Sequence, residues 1–217
     1  MFTLFLIALD TILCGSALYG GSFEGDLEYY FRENRLMTHL SAFHLVAVAL
    51  FCWLVYERDA LEGETDKPHW QRPVFIWALM ALGFLFLAFD EMMMIHEEID
   101  YLIHDLLEMR ESGVSDRLDD LVVFAYTFIG LGLMYRYRKG LIPYWESAGG
   151  MVAGGVVLSI LMGVMDILTN RHDILTHPVI YDWVSTSEDV IKIYAECLLV
   201  LAAYSCLKHP PIRESKR

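Results

Sequence analysis

Apolar residues in this chain gather into long runs separated by short polar stretches, and the runs have the length that crosses a bilayer. Six spans are expected, at roughly 2–20, 36–56, 73–95, 119–137, 148–169 and 189–207. The third and fifth are the clearest, the fourth is short, and the first carries an acid, Asp10. Interfacial anchors flank the connections: Pro68 and Trp70 before the third span, and Pro143, Tyr144 and Trp145 before the fifth. The predicted fold class is therefore an all-α polytopic transmembrane helix bundle, about six spans in one integral membrane domain, 1–217. Composition agrees, with 56% hydrophobic residues and a mean hydropathy of +0.40.

Polar charge then orients the bundle. Arg58, Lys67, Arg72, Arg136, Arg138, Lys139, Lys208, Arg213, Lys216 and Arg217 fall on one side. By the positive-inside rule both termini are cytoplasmic, in what is read as a bacterial cytoplasmic membrane. No cleavable signal peptide is expected, because the first basic residue is Arg32. The net charge of −13 concentrates on the opposite side, in segments 21–35, 90–120 and 166–189. That distribution suits a cation or a basic partner and excludes nucleic acid. Cys14, Cys52, Cys197 and Cys206 lie in spans without metal-type spacing and read as packing residues.

The stretch DEMMMIHEEIDYLIHDLLE, Asp90 to Glu108, carries the densest candidate chemistry. On one continuous helix with His96 at zero, Asp100 falls at roughly 40°, His104 at roughly 80°, Glu97 at roughly 100°, and Asp90 and Glu108 at roughly 120°. Imidazole and carboxylate on one face suit Zn, Mn, Fe or Cu, with His96, Asp100 and His104 as ligands and Glu97 as ligand or general base. Asp90, Glu91 and Glu196 are supporting acids or further metal ligands. The plainer alternative is an amphipathic helix lying along the interface, and for Asp90 and Glu91 a solvated end of the third span. Met92, Met93 and Met94 read as lipid-facing or core.

Other spans carry isolated polar groups. His39 and His44 open the second; Asp166 closes the fifth, ahead of Arg171, His172, Asp173 and His177. Glu188, Lys192 and Glu196 recur every fourth residue, so Lys192 is expected to pair with both acids in a structural ladder. Glu196 and Asp10 sit within apolar runs, where ionisable groups default to functional candidates. Gly149, Gly150, Gly154 and Gly155 predict close helix packing, at the bundle centre or against another subunit.

Residues 33–56 (ENRLMTHLSAFHLVAVALFCWLVY), FLAFDEMMMIHEEID and EDVIKIYAECLLVLAAY resemble a group of uncharacterised bacterial multi-pass membrane proteins with an Asp-Glu…His-Glu signature, here Asp90, Glu91, His96 and Glu97. The resemblance implies that these positions matter and implies no activity. Signatures of ceramidase-like hydrolases, membrane desaturases, di-iron bundles, P-loops and dinucleotide folds are missing. Three functions are compatible with these residues. The first is a metal or cation site at the outer interface, able to activate water on an interfacial substrate. The others are an accessory subunit of a larger membrane complex, contacting it through span 148–169, and proton or cation movement through Asp10, Asp90 and Glu196.

Overall fold

The computed structural model describes residues 1–32, 34–61, 68–106, 118–169 and 177–210. Glu108, Arg171, His172, Asp173 and the basic tail from residue 211 lie outside them. Every regular element among the described residues is helical: α1 (Phe2–Glu24), α2 (Leu36–Leu61), α3 (Phe75–Met93), α4 (Ile95–Leu106), α5 (Leu118–Arg136), α6 (Trp145–Thr169) and α7 (Pro178–Lys208). Five stretches are long and apolar enough to cross a membrane: α1, α2, α3, the run Arg138–Thr169 that contains α6, and α7. The expected fourth span forms a helix, α5, which is not among those five. It nonetheless runs antiparallel to α3, with Phe75 against Tyr137 at one end and Phe86 against Tyr126 further along.

Packing follows from small residues on the facing sides. α2 packs on α3 and α7, and α7 carries α6 and α1. Ala42, Ala49 and Cys52 of α2, Ala78 and Ala81 of α3, and Ala195, Ala202 and Ala203 of α7 are all buried, so backbones approach closely. Large side chains such as Leu4, Phe43, Leu82, Phe128, Val157 and Ile160 point outward instead. An apolar exterior of this extent is incompatible with water and is what lipid requires. Two glycines of α6 are used inside the chain, since a Cβ on Gly154 would meet Leu198 and one on Gly155 the Ala195 carbonyl, whereas Gly150 has open space. α6 therefore lies at the edge of the bundle, against α7, and the centre belongs to α2 and α7.

Phe2 stacks with Phe51 and Tyr204, so the start of α1 and the ends of α2 and α7 share one end of the molecule, the proximal end. The connection from α5 to α6 also reaches it, where Gly140 lies against the Pro73 carbonyl so closely that a Cβ would collide with backbone. Gly140→Ala should destabilise the protein by about 1–3 kcal/mol, read by denaturation in detergent. A loss under a few tenths would mean that this contact yields freely.

α3 does not continue through the histidine segment as the sequence reading assumed. It stops at Met93, Met94 takes a left-handed conformation (φ 52°), and α4 starts afresh. The Met94 N–H closes the turn on the Asp90 carbonyl at 2.7 Å. The wheel drawn for one uninterrupted helix therefore misplaces Asp90 and Met93 relative to His96. At 12 residues, α4 is too short to span and packs on α5 and α3.

Candidate functional site: a buried carboxylate–imidazole relay

Three helices bring ionisable groups together deep in the bundle. Asp10 of α1 and His44 of α2 are wholly buried, Ser41 is 1% exposed and Glu196 of α7 is 7% exposed. Each of Asp10, His44 and Glu196 is at least about 12 Å of helix rise from the nearer end of its helix, well inside an element long and apolar enough to cross a membrane. On α1 the buried stripe Leu6, Asp10, Cys14, Ala17 and Gly21 turns Asp10 inward. His44 Nε2 lies 3.2 Å from Asp10 Oδ1, and His44 Nδ1 lies 3.7 Å from Glu196 Oε2. Both contacts are at ion-pair distance without the alignment of a hydrogen bond. Ser41, one turn from His44, donates to Glu196 Oε1 at 2.7 Å.

One imidazole thus has a carboxylate beside each ring nitrogen. With the imidazole neutral and both acids ionised the trio carries two negative charges, and it reaches neutrality only when it binds two protons. Each ring nitrogen faces a different acid. Among the described residues no group of three His, Cys, Asp or Glu side chains is arranged to hold a metal ion.

Polar groups continue from this trio toward the distal end, away from the termini. Lys192, one turn along α7 from Glu196, donates to both oxygens of Glu91 on α3 at 2.6 Å. Between this pair and Ser41 is a polar void of about 20 Å³, lined also by Thr38 and Asp189. Beyond it a cavity of about 510 Å³ is lined by Arg32, Asp166, Thr169, Ser185, Glu188 and Asp189. Asp189 borders both spaces. Toward the proximal end the lining turns apolar, with Leu6, Val48, Cys52 and Val55 tightly packed in the main core.

The expected ladder on α7 is therefore corrected. Lys192 bridges to α3 across 101 positions of sequence, instead of pairing along its own helix, while Glu188 takes a 3.4 Å contact from Thr169. The solvated helix end expected for Asp90 and Glu91 also fails, because Asp90 is buried and Glu91 is paired. Asp90 accepts from the His96 backbone at 2.9 Å and meets His96 Nδ1 at 3.0 Å, so it secures the start of α4. Of the residues expected to form a metal site, Asp90 and His96 come together. Glu97 is half-buried and His104 buried on α4, and the Asp100 side chain is outside the described ones. Glu196 belongs to the separate, deeper trio.

A second polar cluster closes the proximal end. Arg58 pairs with Asp59 at 3.0 Å, donates to the Cys206 and Leu207 carbonyls at 3.2 and 2.6 Å, and reaches the Tyr144 hydroxyl at 2.6 Å. Tyr144 in turn donates to Asp59. These bonds satisfy carbonyls that the end of α7 would leave unpartnered. Sequence reasoning counted Arg58 only as a loop charge and gave Tyr144 only an interfacial role. It named His44 without a role and set Ser41 aside. The usable signal was the depth of His44 and Asp10 within apolar runs, since no spacing links α1, α2 and α7.

No curated protein and no solved structure matches the chain significantly. Residues 6–207 match the family described as a domain of unknown function, DUF8692, so the chain belongs to that family.

Proposed function

We propose that this integral membrane protein moves protons, taking them up at its distal face and passing them to the Asp10–His44–Glu196 trio in the middle of the bilayer. The observation that carries this is the wholly buried imidazole of His44 with one carboxylate at each ring nitrogen. In this topology α5 is the sixth span, lying along α3, both termini are cytoplasmic and the acidic distal cavity faces outward. The apolar packing on the proximal side makes this the outward-connected state, and transfer onward requires that packing to open. In liposomes under a potassium-diffusion potential, a trapped pH dye should report acidification well above that of protein-free vesicles. Flux equal to that of empty vesicles overturns the reading.

A metal at the His96 segment is the second reading. Asp90 holds one ring nitrogen of His96, as carboxylates orient ligating imidazoles, leaving the other ring nitrogen to a metal shared with Asp100, His104 or Glu97. Elemental analysis of the purified protein should then find Zn, Mn, Fe or Cu at a fixed ratio, lost in both His96→Ala and His104→Ala. Metal-free preparations from metal-replete cells would exclude it.

A further inference from the structure

We infer that the protein selects protons over metal cations at the neck formed by Thr38, Ser41, Glu91, Asp189 and Lys192, which admits one water molecule beside a fixed positive charge. This rests on the proton-movement reading and adds the identity of the excluded ions. The neck is a space of about 20 Å³ that shares Asp189 and Phe31 with the distal cavity, has Met37 and Ile193 on its apolar side, and is lined by Ser41, the donor to Glu196. A site of roughly 10–15 Å³ or more with two to four polar partners holds a single water, and a hydrated metal ion is several times larger. The partners are in place. A lysine ammonium has three donors, and two of those on Lys192 go to Glu91, which leaves one for a water. Ser41 already donates its hydroxyl proton to Glu196, so its oxygen is the acceptor that faces the neck.

These bonds make a continuous path for a proton and none for an ion. As the neck water takes up a proton from the distal side it gives one to Ser41 Oγ and the Ser41 hydroxyl proton passes to Glu196 Oε1, all in one step, so that no positive charge rests on the water beside Lys192. The serine ends with one hydrogen, as it began, and Glu196 has gained one. Hydroxyl rotation resets the path. A metal ion would have to shed its water to enter, and would then lie against the Lys192 ammonium. Lys192 is what makes the neck hostile to cations, because the other two charged groups that line it, Glu91 and Asp189, are carboxylates. Glu91 with Lys192 is neutral as a pair, so removing Lys192 turns the neck into an acidic slot.

The test is ion flux in liposomes that hold wild type, Lys192→Met or Lys192→Arg, with a pH dye for protons and tracer uptake for Na⁺ and Rb⁺. Wild type and Lys192→Arg should acidify the lumen while Na⁺ and Rb⁺ uptake stays at the level of empty vesicles. Lys192→Met should raise Na⁺ or Rb⁺ uptake at least tenfold. If Lys192→Met does not fold, Ser41→Ala decides instead. It should still fold, with a melting temperature lowered by the loss of its bond to Glu196, and lose about tenfold in proton flux, and unchanged flux overturns the path. Wild type that carries Na⁺ or Rb⁺ at rates comparable with protons overturns the selectivity alone, as does a Lys192→Met protein that conducts protons and still excludes both ions. Wild type that carries no ion overturns the translocation reading as well.

Discussion

Glu196→Gln should cut proton flux in liposomes by about 100-fold, within the range that loss of one positioned acid–base group costs a proton-transfer step. The substitution keeps the size of the side chain and an oxygen for Ser41 to donate to, so the packing of α2 against α7 is preserved. What it removes is the ability to gain and lose a proton beside His44. Asp10→Asn should act in the same direction, because it leaves His44 with one titratable neighbour. The control is the melting temperature in detergent, which should move little compared with flux. A Glu196→Gln protein that conducts like wild type would reduce the trio to a packing feature.

Arg58→Ala should destabilise the protein by about 3 kcal/mol, the lower part of the range for stripping one partner from a buried ion pair, because Arg58 is about one-fifth exposed. The loss has two parts. Asp59, 7% exposed, keeps its charge and is left with the Tyr144 hydroxyl alone, and the Cys206 and Leu207 carbonyls lose their donor. Arg58→Lys should recover only part of it, since a point charge cannot replace a fork that reaches three elements at once. Chemical denaturation of the purified protein reads the difference, and adding Asp59→Asn to Arg58→Ala should restore some stability. A change below about 1 kcal/mol for Arg58→Ala would show that water satisfies these groups equally well.

Much of the bundle was legible because a bilayer leaves so little choice of structure. Apolar runs of the right length must be helices, and α1, α2, α3, α6 and α7 appear where hydropathy put them, mostly extended by a turn or more beyond the apolar residues. The break at Met94 was not legible. Met-Met-Met has no glycine or proline to mark a stop, and the left-handed turn is held by the Asp90 carbonyl and carboxylate acting on residues up to six positions away. The site was half legible for a related reason. Charge inside an apolar run flags Asp10 and Glu196 individually, but their meeting at His44 depends on which helices adjoin. The pairing of Glu91 with Lys192 depends on the same thing, and periodicity along α7 pointed to the wrong partners.

Asp10 is synthesised long before Glu196. When α1 enters the membrane its acid has no counterpart, and an aspartate at the centre of a helix costs about 2.5–3.5 kcal/mol during insertion. His44 arrives with the next helix, and the trio is complete only once α7 has emerged and docked. Biogenesis therefore has a built-in completion check. A chain that stops before α7 leaves His44 with only one of its two acids, and such a product should be cleared by membrane quality control faster than one truncated after Glu196.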